Sequence, residues 1–242
     1  MKMMIIIPAR FNSSRLPGKP LKKINGIPMI RRVHDQCVKG FDGHIVVATD
    51  NDKIFRYCKS EKIDSIMTST NCLTGTDRVY EAALGFDVEF IINIQGDEPV
   101  FSPDDIKKFI SAIITFSNEY EVFAGYTKII EEKDYYSNQV PKMLLNKNDE
   151  LLYTSRSPVP GNKKSGFNNS FRQVCIYAYT FNALKLFCSQ NKTPIEEIED
   201  LELLRFLEND VKVKMVELSG DSISVDNPED ILKVELFLNH KQ

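Results

Sequence analysis

Three cations, Arg10, Arg15 and Lys19, stand within residues 8–21, Pro-Ala-Arg-Phe-Asn-Ser-Ser-Arg-Leu-Pro-Gly-Lys-Pro-Leu. They directly follow the β-branched run Ile5-Ile6-Ile7, which reads as a buried strand. A strand that empties into a cationic loop with a Gly is suited to polyphosphate, because guanidinium and ammonium groups supply charge and donors while turn backbone brings N–H groups close. The alternative is a surface turn with solvated charges, but Pro17-Gly18-Lys19-Pro20 constrains the backbone more than such a turn needs. The segment matches neither the G-x-x-x-x-G-K-[ST] nor the G-x-G-x-x-G pattern, so neither supports a P-loop NTPase or a nicotinamide enzyme.

Carboxylates that could serve the same chemistry lie far along the chain. Asp97, in Gln95-Gly96-Asp97-Glu98-Pro99, ends a second apolar run, where it could hold Mg²⁺ bridging phosphate oxygens or simply form an Asx-type turn. In Val225-Asp226-Asn227-Pro228-Glu229-Asp230, a helix start with Asn227 as cap and Pro228 at the first position accounts for Asn227, Glu229 and Asp230. It leaves Asp226 outside the helix and able to complete a metal site. Thr74-Gly75-Thr76-Asp77-Arg78 is another helix start, explained by capping or by an anion at the helix N-terminus. Arg156, in the Pro-flanked turn Ser155-Arg156-Ser157-Pro158, suits either a surface ion pair or an acidic ligand. The three histidines, His34, His44 and His240, have no recognisable Ser or Cys partner, which argues against triad chemistry.

The elements that must position these residues alternate. Strands are expected at 4–7, 44–48, 65–67, 90–94, 122–126, 142–145, 173–179 and 212–217. Helices are expected near 29–39, 52–61, 77–84, 103–116, 182–189, 194–208 and 228–240. This order predicts an α/β fold, a mostly parallel sheet with helices on both faces and ligands gathered at the C-terminal strand ends. The rhythm breaks after residue 122, which predicts a small inserted antiparallel subregion, 122–195, within a single domain spanning 1–242.

A net charge of −3 from 31 basic and 34 acidic residues argues against a general nucleic-acid binder. No apolar run reaches the roughly 20 residues that cross a bilayer, so no membrane insertion is expected. The five cysteines are odd in number and form no C-x-x-C pair, which suits reduced thiols and a cytoplasmic protein.

Taken in order, six motifs carry a resemblance. They are Pro-Ala-Arg-x-x-Ser-x-Arg-Leu-Pro-Gly-Lys-Pro-Leu (8–21), Val-Ala-Thr-Asp (47–50), Thr-Gly-Thr-Asp-Arg (74–78), Gln-Gly-Asp-Glu-Pro (95–99), Ser-Arg-Ser-Pro (155–158) and Val-Asp-x-Pro-Glu-Asp (225–230). The chain resembles the 3-deoxy-manno-octulosonate (Kdo) cytidylyltransferases over nearly its whole length. The resemblance implies a glycosyltransferase-A-like α/β fold, a homodimer, and a reaction that joins CTP to an acidic 2-keto sugar with release of pyrophosphate. It implies that Pro8, Ala9, Arg10, Arg15, Lys19, Asp77 and Arg78 bind CTP, with Arg10, Lys19 and Asp97 catalytic. Asp97 and Asp226 would hold Mg²⁺, and Gln95, Arg156, Gln173, Tyr177, Glu202 and Leu203 would bind the sugar. Two positions depart from the family pattern: Gln173 stands where the family commonly has His, and Leu203 where it commonly has Gln. Both fall where the sugar is expected, so the acceptor could be Kdo, its 8-amino form or another octulosonate. Further readings are a cytidylyltransferase for a sialic-acid-like nonulosonate and a catalytically silent nucleotide-binding protein.

Overall fold

The computed structural model describes residues 1–12, 15–164, 166, 167 and 169–240. Ser13 of the first motif and its neighbour Ser14 lie outside the described residues. The elements in chain order are β1 (Met3–Ala9), β2 (Lys23–Ile24), β3 (Ile27–Pro28), α1 (Met29–Gly40), β4 (His44–Thr49), α2 (Asp52–Ser60), β5 (Ser65–Met67), α3 (Gly75–Ala83), β6 (Phe90–Ile94) and α4 (Pro103–Phe116). There follow β7 (Val122–Lys128), α5 (Glu132–Tyr136), β8 (Lys142–Leu145), β9 (Leu151–Ser155), β10 (Phe171–Thr180), α6 (Phe181–Ser189), α7 (Pro194–Glu199), α8 (Leu203–Glu208), β11 (Val213–Glu217) and α9 (Pro228–His240). The chain forms two compact units, one from residues 1–108 with 221–242 and one from residues 109–220. The 122–195 segment falls inside the second.

In the first unit β1 pairs in parallel with β4 on one side and β6 on the other, and β4 pairs in parallel with β5. Met4, Ile5, Ile6 and Ile7 are all 0 % exposed. A strand covered on both faces needs a continuous apolar run rather than alternation, which is why this stretch is so uniformly aliphatic. The helices that return the chain are amphipathic: α1 buries Met29, Ile30, Val33 and Cys37, and α2 buries Ile54 and Cys58. A short hairpin, β2–β3, turns at Asn25-Gly26. A satellite core of Leu16, Ile24, Met29, Val100, Val225 and Val234 ties the first loop, the hairpin and α9 together.

In the second unit β7 pairs in parallel with β11 and antiparallel with β10, which continues antiparallel to β8 and then β9. This is the expected antiparallel region. Its core includes a buried bidentate pair: Arg205 Nε and Nη2 donate to Glu196 Oε2 and Oε1 at 2.7 and 2.6 Å. The Phe187 ring stacks on the same guanidinium, 3.7 Å from ring centroid to Cζ.

All eight expected strands are present, and four further details are new. The helix expected at 194–208 is two helices, because Asp200 adopts a left-handed φ of 51° that ends α7. Helix α5, strand β9 and the β2–β3 hairpin add to the expected set. They are short, and their patterns are too brief for periodicity to resolve.

Candidate active site

The first loop leaves β1 with Pro8 and Ala9 buried in the strand and Arg10 exposed. Gly18, in the left-handed region at φ 69°, donates its N–H to Phe11 O at 2.9 Å and closes the loop. Pro20, second in the short 3₁₀ turn Lys19–Leu21, restricts the backbone that carries Lys19. The Lys19 ammonium donates to Asp97 Oδ2 at 2.7 Å, to Val225 O at 2.9 Å and to Asp226 Oδ1 at 3.4 Å. Arg15 Nη2 reaches the same Asp226 Oδ1 at 3.0 Å. Residues 78 and 207 positions away from Lys19 thus meet at one nitrogen.

Backbone contacts hold this arrangement. The Val225 N–H donates to Asp97 O at 3.0 Å, so the two carboxylate-bearing segments are joined directly. A Cβ at Gly96 would lie 2.7 Å from Pro8 O, so only Gly lets the Asp97 turn approach the end of β1 this closely. Buried Glu98 accepts a hydrogen bond from Ser222 Oγ and anchors the return segment. Asp230 Oδ2 accepts from the N–H groups of Asp226 and Asn227, each at 3.0 Å. Burial works against that carboxylate, but hydrogen bonds from Lys233 and the two backbone N–H groups hold Asp230 below the usual range.

Around this centre, Arg10 Nη1 reaches Leu73 O at 3.4 Å, just ahead of α3. Thr74 and Asp77 form a capping box: Asp77 N donates to Thr74 Oγ1 at 3.2 Å and Thr74 N to Asp77 Oδ2 at 2.8 Å. Gln95 lies beside the same helix start, its amide 3.5 Å from where a Gly75 Cβ would stand. Arg78 is different in kind. It is 0 % exposed and donates to Asp50 Oδ2 at 2.7 Å and to Thr68 Oγ1. Its guanidinium is therefore committed to Asp50, so two of the six motifs, Val-Ala-Thr-Asp and Thr-Gly-Thr-Asp-Arg, brace each other.

The first unit therefore gathers Arg10, Arg15, Lys19, Gln95, Asp97 and Asp226 at the C-terminal ends of β1 and β6. Arg156, Gln173, Tyr177, Glu202 and Leu203 belong to the second unit. Arg156 donates from Nε to Glu199 O at 2.6 Å, from Nη1 to Asn138 O at 3.0 Å and from Nη2 to Asp200 O at 3.2 Å. Burial opposes ionisation of Glu199, yet hydrogen bonds from Arg156 N–H, Ser155 and Tyr153 draw its carboxyl down. Lys142, wholly buried, donates to Ser137 O at 2.8 Å and Arg156 O at 2.5 Å and pins the base of this turn. Burial lowers the Lys142 pKa.

Gln173 donates to the Tyr177 hydroxyl. Residues four apart on a regular strand stand about 13 Å apart. The register of β10 against β7 shifts between Val174 and Tyr177, and this irregularity brings the two side chains together. Burial, followed by the nearby Cys175 and Tyr179, pushes the Tyr177 phenol up, so it stays protonated. Leu203 is 2 % exposed, a core side chain. Sequence reasoning does not single out Lys142, Glu199 or Ser222, and it reads Asp230 only as part of a helix cap. The roles of Lys142, Glu199 and Ser222 depend on contacts 5 to 124 residues apart, and no local pattern marks them.

Among the described residues no three His, Cys, Asp or Glu side chains form a metal-holding group. The two carboxylates on Lys19 nevertheless fit a hard divalent cation that takes its other ligands from phosphate and water. They are oxygen donors, and they already converge on a positive charge.

A parallel α/β sheet with cations and convergent carboxylates at its C-terminal rim defines a nucleotidyltransferase type of site. The chain belongs to the cytidylyltransferase family, whose pattern matches residues 4–214. It is 40% identical over 236 residues to a 3-deoxy-manno-octulosonate cytidylyltransferase of a Nitratiruptor species, covering 96% of this chain and 98% of that one. It is 37% identical over 243 residues to an 8-amino-3,8-dideoxy-manno-octulosonate cytidylyltransferase of Shewanella frigidimarina, covering 98% and 99%. A solved CMP:2-keto-3-deoxy-manno-octonic acid synthetase complexed with CTP superposes with a TM-score of 0.93 at 29% identity over 100% of both chains.

Proposed function

We propose that the protein transfers the CMP group from CTP to an acidic 2-keto sugar, Kdo or its 8-amino form, and releases pyrophosphate. The observation that carries this reading is the convergence of Asp97 and Asp226 on Lys19, at a cationic loop, in a cytidylyltransferase chain. Lys19, Arg10 and Arg15 bind the triphosphate. Pro8, Ala9 and the start of α3, with Asp77, line the nucleotide. Asp97 and Asp226 would hold Mg²⁺, which when bound polarises phosphoryl oxygens and screens the repulsion between two anionic substrates.

The chain's own groups account for the rest. The anomeric hydroxyl of the sugar gives up its proton to solvent as its oxygen bonds to the α-phosphorus, and the bond to the pyrophosphate oxygen breaks. Negative charge grows on the leaving group, where Lys19 and Arg10 stand ready. Each such preorganised donor is worth about 3 kcal/mol in reactions of this kind. Arg78 acts indirectly, bracing the Thr74–Asp77 cap through Asp50. In the second unit Arg156 and the Gln173–Tyr177 pair would meet the sugar acid.

None of the five cysteines is joined in a disulfide, which supports a reducing, cytoplasmic setting. A homodimer rests on the family resemblance; Ile130, Leu152 and Ile198 are exposed apolar side chains of the second unit. Among the described residues no helix is long and apolar enough to cross a membrane. A pyrophosphate-release assay with CTP, Mg²⁺ and a panel of keto sugars tests the function. Release with Kdo or its 8-amino form is expected. CTP binding without release on any sugar would overturn it in favour of a silent nucleotide binder.

A further inference from the structure

On the reading of residues 8–21 as the CTP loop, we propose that Lys19 keeps the divalent-cation site closed to metal alone, so that metal and nucleotide must enter together. The Lys19 side chain is 15 % exposed, and its ammonium sits against Asp97 Oδ2, Asp226 Oδ1 and Val225 O. Arg15 adds a second cation to Asp226. Two carboxylates are thus matched by two cations inside the loop itself. A divalent cation arriving without an anion must displace that ammonium, or share the carboxylates with it at a separation where like charges repel strongly.

A triphosphate changes the balance. It offers Lys19 and Arg15 new anionic partners with better hydrogen-bond geometry than a shared carboxylate. As the cations turn to phosphate, Asp97 and Asp226 are freed as oxygen ligands. No large motion is needed: Gly18 and Pro20 hold the Lys19 backbone, and the butylamine stem can swing its ammonium from carboxylate to phosphate. Linkage then requires the converse, that metal strengthens CTP binding by the same factor that CTP strengthens metal binding.

The test measures Mn²⁺ binding by electron paramagnetic resonance of the free ion, with no nucleotide present. Lys19→Met should bind Mn²⁺ at least about tenfold more tightly than the unaltered protein. Lys19→Met combined with Asp97→Asn should lose that gain. Equal Mn²⁺ affinity in the unaltered protein and a Lys19→Met variant with native circular dichroism overturns the proposal. A second measurement needs no variant. Millimolar Mg²⁺ alone should leave the melting temperature unchanged, whereas Mg²⁺ added to the CTP-bound protein should raise it further. A rise with Mg²⁺ alone equal to that seen with CTP present also overturns it. Calorimetric CTP binding in millimolar Mg²⁺ separates the two readings, since failure to bind CTP with metal present overturns the function itself.

Discussion

Gly96→Ala tests whether the Asp97 turn must press against the end of β1. The added methyl carbon would meet Pro8 O at 2.7 Å, about 0.7 Å short of ordinary contact. Neither partner yields easily, because both are backbone: Pro8 lies in β1 opposite Ala48 of β4, and Asp97 O is bonded to Val225 N. The strain should cost about 1–3 kcal/mol of stability, the range for overpacking a tight interior. Most of the displacement should fall on the turn, since β1 is clamped between two strands. Misplacing a catalytic group by about 1 Å costs on the order of 10²-fold in rate. A shift near 0.7 Å should therefore lower kcat by about 10- to 100-fold. Pyrophosphate release gives kcat, and urea unfolding gives the stability loss. A Gly96→Ala protein with unaltered kcat and unaltered unfolding midpoint would refute the claim that this contact sets the Asp97 position.

Other consequences follow from single contacts. Arg78→Met strands Asp50 beside a buried apolar group and should destabilise by about 3 kcal/mol in urea unfolding, as breaking a buried pair does. Loss of CTP affinity without loss of stability would contradict its bracing role. Glu150 is held down to about 2 by hydrogen bonds from Tyr120, Asn146 and Lys212. A carboxyl lowered on folding adds stability that is present above its ordinary value of 4.5 and is lost as pH falls towards 2. Glu150→Gln should therefore flatten the acid limb of a stability-versus-pH curve in that window, and an unchanged limb would count against the assignment. Gln173→His should change the ratio of kcat/KM between Kdo and 8-amino-Kdo by more than about threefold, an effect near 0.6 kcal/mol, while leaving the KM for CTP unchanged. A changed CTP KM with an unchanged sugar ratio would remove Gln173 from the acceptor side.

The first unit was largely legible in the sequence because its strands are buried on both faces. Ile5-Ile6-Ile7 and Ile91-Ile92 cannot sit on a surface, and each empties into a motif of unusual composition. Lys19, Asp97 and Asp226 could be named from residue type and motif order, but their meeting at one nitrogen could not. That depends on the Val225–Asp97 backbone bond, which joins segments 128 residues apart. The second unit was harder to read. Short antiparallel strands such as β9 carry little periodicity, and a left-handed Asp200 that splits one expected helix leaves no composition signal. Arg78 shows a further limit: a charged residue in a helix-start motif reads as a ligand contact, and only the structure reveals Asp50 and Thr68 around it. Leu203 likewise stands where the resemblance implies a sugar contact, yet its side chain belongs to the core.

The central claim is that Lys19, Asp97 and Asp226 form one centre for cytidylyl transfer. The most direct measurement is ³¹P NMR of the reaction with CTP, Mg²⁺ and Kdo, run for the unaltered protein and for Asp97→Asn at matched folded concentration. A CMP-sugar phosphodiester and pyrophosphate are expected in equal amounts, with Asp97→Asn slower by on the order of 10³-fold, the scale for losing an electrostatic group at the reacting centre, and little change in melting temperature. Orthophosphate as the product, or an Asp97→Asn protein that turns over at the unaltered rate, would contradict it.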